Sequence, residues 1–340
     1  MRKNKKSSVD FKKPILAILL TLMLVSLVHG ESKLQIISDN LYMITGFGGN
    51  VGFLVGEKSI LVVDGGYTPS YGKQITDLIK TVSEKPIEYV ILTHYHPDHV
   101  RGVQSLLGSA KVIAHEELVS NLTKHGKERL HNDIENRYPE YITDLKNQIT
   151  NYVDNTETTL AELKESLTDA ELQLAELQTI ELVTPDITFS DSLIIELDDN
   201  RVILNHFGSG HTSGNTIVHF IKQKTVHLGD LFFNDAFPYI DYEAGSNTEN
   251  WITILNNVIN WDLSYVIPGH GELSDIESIQ KEINYLTDLR AAVSQAILIG
   301  KTLEESKIEI KLEDYNHYNW PYYLSVGIDA VYKELKKSNM

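Results

Sequence analysis

Hydrophobic residues come in short blocks along the start of the chain. Residues 34–38, 41–45, 51–55 and 60–63 read as β-strands, closed by turn chemistry at Asp39 and Asn40, Gly48-Gly49-Asn50 and Gly56-Glu57. The pattern then changes period. Ile75, Leu78, Ile79 and Val82 recur at helical spacing, which predicts a helix over 69–82. Residues 87–93 form a largely apolar strand that runs into the polar segment His94-Tyr95-His96-Pro97-Asp98-His99, and a helix-like stretch (100–107) and a strand (111–114) follow.

Between about 116 and 180 glycine almost disappears, while Glu, Leu and Lys become frequent. Ile142, Leu145, Ile149 and Tyr152 form one apolar stripe, and Leu160, Leu163, Leu167, Ala170, Leu174 and Leu177 form a second. This predicts two helices joined near 154–156, an inserted helical hairpin packed on its own domain, with a homo-dimer contact through the hairpin as the alternative. Strand patterns return at 187–189, 193–197, 202–207, 216–221 and 225–228. They are followed by a helix (250–260), a strand (265–267), a helix (274–298), a short helical piece (303–306) and a last helix (326–337). Strands with helices, a helical insertion, then strands with helices again suit an α/β fold of two sheets face to face, with helices outside, over residues 31–340.

Composition narrows the function. The chain has 340 residues, 42% hydrophobic and 23% charged, enough for a sizeable core. Its net charge of -17 disfavours nucleic acid or an anionic membrane as partner, so a small-molecule substrate is expected. There is no cysteine, which excludes disulfides and thiol nucleophiles and leaves His, Asp and Glu for any metal site. Arg2, Lys3, Lys5, Lys6, Lys12 and Lys13 precede an apolar run over 15–28 and the small residue Gly30, the pattern of an export signal over residues 1–30. The expectation is a periplasmic or secreted protein with no other membrane attachment; an uncleaved anchor is the alternative.

The strongest chemical feature is H-x-H-x-D-H at 94–99. Two imidazoles at i and i+2 of an extended segment can face one ion, and the following Asp and His can face a second position. Imidazole and carboxylate without sulfur suit Zn²⁺, Fe or Mn²⁺. His211, Asp230 and His270 follow, each beside glycine and each expected at a strand end, in Gly210-His211-Thr212-Ser213-Gly214-Asn215, Gly229-Asp230 and Pro268-Gly269-His270-Gly271. Of the other histidines, His219 and His227 fall within predicted strands as structural residues. His115 and His206 lie near motif segments and are candidates for orienting a ligand, while His125, His131 and His317 read as surface. Tyr67, Phe233, Phe237 and Tyr239 are candidates to line a groove.

Together these motifs resemble those of the metallo-β-lactamase-fold hydrolases, from Gly46-Phe47-Gly48-Gly49-Asn50-Val51-Gly52 onward. The resemblance implies an αββα sandwich with two divalent ions, zinc foremost, at its edge. It implies one ion on His94, His96 and His211, a second on Asp98, His99 and His270, and Asp230 bridging both. It further implies hydrolysis of an ester, thioester, lactone or amide bond by a metal-bridging hydroxide that Asp98 orients. Two departures qualify it. Zinc β-lactamases with a Cys ligand have it where Asp230 stands, and they commonly carry Lys where Phe233 stands; the Asp instead resembles the glyoxalase II and lactonase branches. β-Lactam hydrolysis remains an alternative, as does an iron-dependent persulfide dioxygenase. The di-iron branch typically has Glu where His96 stands, which favours hydrolysis.

Overall fold

A computed structural model describes residues 32–153 and 158–338. One sheet holds β1 (Lys33–Ser38), β2 (Leu41–Thr45), β3 (Val51–Val55), β4 (Ile60–Val63), β5 (Ile87–Ile91), β6 (Lys111–His115) and β7 (Ile187–Phe189), in that spatial order. The strands are antiparallel from β1 to β4 and parallel from β4 to β7. The second sheet holds β8 (Ser192–Leu197), β9 (Asn200–Asn205), β10 (Ile217–Phe220), β11 (Thr225–Phe233) and β12 (Tyr265–His270), in the order β12-β11-β10-β9-β8. Only its β11/β12 pair is parallel.

Strand alternation builds the layers. In β4, Leu61 and Val63 turn inward and meet Leu204 and Val218 of the second sheet, whereas Ile60 and Val62 turn outward onto Ile75 and Ile79 of the helix Pro69–Val82. On the far side, Val226 and Leu228 of β11 pack with Trp251, Leu255, Ile283, Leu286 and Val331 from the helices Thr248–Val258, Ile276–Leu298 and Tyr323–Ser338. The result is the expected αββα sandwich. The helix Pro69–Val82 begins where predicted because Thr68 Oγ1 caps the Tyr71 amide and Pro69 presets the first turn. Its Gly72 is required by close approach: a Cβ there would stand 2.0 Å from the carbonyl oxygen of Gly102.

Several elements differ from the sequence pattern. The stretch 100–107 is not one helix but the short helix Pro97–Val100 followed by a 3₁₀ turn, Val103–Ser105, because the Gly102 amide is tied to the Gly66 carbonyl at 2.9 Å. β12 runs on through Pro268 to His270, which an edge strand tolerates. The insertion is longer than two helices. Glu116–Asn121, Lys127–Asn132 and Tyr138–Thr150 form one rod joined by π turns at Leu122–Gly126 and Asp133–Arg137, and Leu160–Leu177 returns alongside it. Ile142, Leu145, Leu163 and Ala170 bury their stripes against each other. The expected join near 154–156 and the export signal over 1–30 lie outside the described residues. Among the described residues no helix is long and apolar enough to cross a membrane.

Candidate metal centre

The C-terminal ends of β4, β5 and β12 and the bend in β11 converge on one edge of the sandwich. After β5 the chain bends at Thr93 and at Tyr95, is extended at His96, and then makes the single helical turn Pro97–Val100. That switch sends His94 and His96 to one side, and Asp98 and His99 to the other. His211 comes from the loop between β9 and β10, braced where Asn215 Oδ1 accepts from the Thr212 amide at 3.0 Å. Asp230 is not at a strand end as expected; it sits inside β11. Gly229, at φ +50°, lets the strand bend there and continue, with a register shift against β12 between His227 and Gly229.

All seven sequence candidates meet. His94, His96, His211 and Asp230 form one group and Asp98, His99 and His270 another, with the ligand atoms of each group within 4.8 Å of one another. His96 Nδ1 lies 3.0 Å from His94 Nε2 and 2.9 Å from His211 Nε2. Asp230 stands between the groups. Its Oδ2 is 3.5 Å from both His94 Nε2 and His211 Nε2, and its Oδ1 is 3.1 Å from His99 Nε2 and 3.5 Å from His270 Nε2.

Outward hydrogen bonds fix which nitrogen of His94, His96, His99 and His211 carries the proton. His211 Nδ1–H donates to the Tyr239 carbonyl at 2.8 Å, His96 Nε2–H to Asp241 Oδ2 at 2.8 Å, and His99 Nδ1–H to Asp64 Oδ2 at 2.7 Å. Thr93 Oγ1 gives its own proton to Asp64 Oδ2 at 2.7 Å, so it accepts from His94 Nδ1–H at 3.0 Å. The neutral rings of His94, His96 and His211 therefore aim a bare lone pair inward. Lone pairs on His94 Nε2 and His211 Nε2, each about 3 Å from that on His96 Nδ1, repel it unless a cation lies among them, and tetrahedral zinc needs nitrogens about 3.3 Å apart for bonds of about 2.05 Å. His99 Nε2 and Asp230 Oδ1 are also buried without a hydrogen-bond partner. The donor set, its tautomers and these unpartnered atoms fit a pair of divalent ions.

Electrostatics separates the two groups. Burial pushes His94 and His96 down to about 4 and His211 to about 3, so these rings are neutral near pH 7. Burial also disfavours charge on His99 and His270, but Asp230 and Asp98 outweigh it, raising His99 well above its usual range and His270 to about 9. Asp98 and Asp230 are correspondingly held low, burial being overcome by His99 and His270.

Sequence reasoning missed the residues that orient the ligands. Asp64, at φ +67° just after β4, holds both His99 and Thr93. Asp241 Oδ2 takes His96 and also the Tyr95 hydroxyl at 2.5 Å. Burial alone would raise Asp241; the bonds from His96 and Tyr95 and the Arg129 charge hold it well below the usual carboxylate range. The Asp64-Gly65-Gly66 turn was a possible signal for the first, whereas nothing periodic marks Asp241. Trp320 and Tyr323 from the tail were missed as well. Trp320, at φ +59°, sets its ring 5.1 Å from His270, and Tyr323 stands 5.5 Å from Tyr239.

The groove candidates divide. Phe233 stacks on His270 at 5.3 Å and Tyr239 lies 5.4 Å from His96, but Phe237 packs into the core on Tyr285 and Tyr67 reaches Arg101. His115 and His206 orient no ligand. They stack on each other at 3.6 Å and bond to the Ser190 and Asn215 carbonyls. His227 is a buried structural residue, bonded to Asn50 and the Gly229 amide, and His219 stacks on Trp261.

Comparison with known proteins gives a consistent picture. Residues 44–270 match the family model of the metallo-beta-lactamase superfamily. The chain is 19% identical over 291 residues to the linear primary-alkylsulfatase of Pseudomonas sp., covering 79% of this chain and 52% of that protein. It is 20% identical over 220 residues to the metallo-beta-lactamase type 2 of Bacillus cereus, covering 64% and 65%. The chain thus spans about half the length of the alkylsulfatase and just under two thirds of the Bacillus cereus protein. Among solved structures it resembles a metallo-beta-lactamase from Pontibacter korlensis (TM-score 0.55, 15% identity, 76% of this chain and 99% of that one). It also resembles a sec-alkylsulfatase from Pseudomonas sp. (TM-score 0.62, 15% identity, 89% and 50%).

Proposed function

The chain belongs to the metallo-beta-lactamase superfamily, and on that premise we propose that it is a two-metal hydrolase of ester-type bonds, with carboxylic, thioester, lactone and sulfuric esters as the substrate field. The observation that carries this reading is Asp230, whose two carboxylate oxygens face the two ligand groups separately. His94, His96 and His211 would hold one ion, and Asp98, His99 and His270 the other. Zinc suits the nitrogen and oxygen donors. Such a pair of ions, when bound, supplies Lewis-acid activation of water and of the scissile bond at neutral pH.

The chain's own residues do the rest. Asp241, Asp64, Thr93 and the Tyr239 carbonyl hold the imidazoles in their inward-facing tautomers. Asp98 is 24% exposed, unlike the other carboxylate of the centre at 4%, so it is the one that reaches the groove and can accept a hydrogen bond from the attacking water. Phe233, Trp320 and Tyr323 wall the site with apolar surface that excludes bulk water. The test is a hydrolysis panel of carboxylic esters, thioesters, lactones, alkyl sulfates and β-lactams, run on zinc-loaded and chelator-stripped protein. Zinc-dependent turnover on an ester class is the expected result. Turnover confined to β-lactams, or none on any compound with two ions bound, overturns the assignment.

A further inference from the structure

We propose that Arg129, on the helical insertion, recognises an anionic group that the substrate carries beside its scissile bond, a carboxylate or a sulfate. This deepens the hydrolase reading and rests on it.

Arg129 lies in Lys127–Asn132, between the two π turns of the rod. One helical turn later, Asp133 is buried and takes Arg101 at 2.8 Å and Arg137 at 3.2 Å. Arg101 directly follows the short helix that bears Asp98 and His99, so this pair pins the rod to the metal motif and fixes where Arg129 projects. π turns re-aim side chains in just this way and recur at functional sites.

The guanidinium sits over the Tyr95 ring at 5.6 Å and beside the Tyr239 hydroxyl. Its nearest carboxylate oxygen, Asp241 Oδ2, is 3.6 Å from Nη2, beyond hydrogen-bond reach. That oxygen is already engaged by His96 at 2.8 Å and Tyr95 at 2.5 Å. Arg129 therefore keeps donors to spare. Its side chain is 32% exposed while Asp241 is 3% exposed, so the arginine is the member of this pair that reaches the surface, on the His96 flank of the centre. The opposite flank, with Phe233 and Trp320 against His270, is aromatic. A planar fork of N–H donors matches carboxylate and sulfate oxygens in pairs, and the Tyr239 hydroxyl stands ready as a further donor.

Zinc-loaded wild type, Arg129→Gln and Arg129→Lys are compared on 4-nitrophenyl acetate and mono-4-nitrophenyl glutarate, with calorimetric binding of butyrate and of ethyl sulfate measured separately. Arg129→Gln should lose at least tenfold more kcat/KM on the charged ester than on the neutral one, chiefly through KM. It should also bind at least one of the two anions tenfold more weakly; which one names the anion class. Arg129→Lys should recover most of the difference. Equal losses on both esters, together with weaker zinc binding, would mean that Arg129 only braces Asp241, and unchanged anion affinity would overturn the proposal outright. If the wild type hydrolyses neither ester nor any other compound of the panel while anion binding still depends on Arg129, the anion site stands and the hydrolase reading falls.

Discussion

Removing the Asp241 carboxylate should weaken the three-histidine site and leave the other group of ligands nearly untouched. Asp241 holds His96 Nε2–H at 2.8 Å, and this bond keeps the Nδ1 lone pair directed inward, 3.0 Å from His94 Nε2 and 2.9 Å from His211 Nε2. In Asp241→Ala the ring is free to turn or to move its proton to Nδ1. Loss of a ligand's outer partner costs about 10–100-fold in metal affinity, or about 1.4–2.7 kcal/mol. The buried Tyr95 hydroxyl also loses its acceptor, which costs about 1–3 kcal/mol of folding stability. Asp241→Asn is the companion variant, since both bonds fall on one oxygen, Oδ2, and a neutral amide oxygen there can still accept them. The assay is competition for zinc against a chelator series, resolving both binding steps, alongside thermal melts of the ion-free proteins. The expected result is a first-step affinity reduced 10–100-fold in Asp241→Ala and less in Asp241→Asn, with the second step changed by less than threefold. An unchanged first step, or equal weakening of both, would refute the reasoning.

Three further outcomes follow from the same geometry. A Cβ at Gly269 would stand 2.0 Å from Asp230 Oδ1 and 2.6 Å from the Gly229 carbonyl carbon, so Gly269→Ala should displace the carboxylate between the groups; metal analysis should find about one ion per chain, and two would contradict this. His99 and His270 hold protons near pH 7 that an ion must displace, whereas His94, His96 and His211 do not. Lowering the pH from 8 to 6 should therefore weaken the second zinc step by about tenfold per unit for each proton displaced, with little effect on the first, as read by zinc titration at each pH. Burial and the nearby Asp230 charge raise the Glu282 carboxyl well above its usual value. Because the folded value lies above the unfolded one, stability is lost as pH rises past the unfolded value. Glu282→Gln should then melt higher than wild type in ion-free protein at pH 7–8, and the gain should vanish near pH 4; a gain independent of pH would contradict the account.

The seven candidate ligands were legible because their spacing follows backbone geometry. His94-x-His96 followed by one helical turn is a local arrangement, and the glycines beside His211, Asp230 and His270 mark close backbone approach. What was illegible depends on distance in the fold. Asp241 and Asp64 become partners of His96 and His99 only once the sheets close, and Trp320 reaches His270 because the tail is pinned where the Phe237 amide bonds the Asn319 carbonyl. The strand bearing Asp230 read as ending at Leu228 because Gly229 looks like a turn, yet its positive φ bends β11 without ending it. The two π turns have no sequence period of their own, so the reach of Arg129 toward Asp241 was hidden as well.

The central claim is that two ions, divided by Asp230, act together in hydrolysis. The most direct test is to titrate chelator-stripped protein with zinc while following turnover of the best ester from the panel. Turnover should climb through the second equivalent, level off at two per chain and disappear on re-chelation. Full activity at one equivalent, or turnover indifferent to zinc, would contradict it.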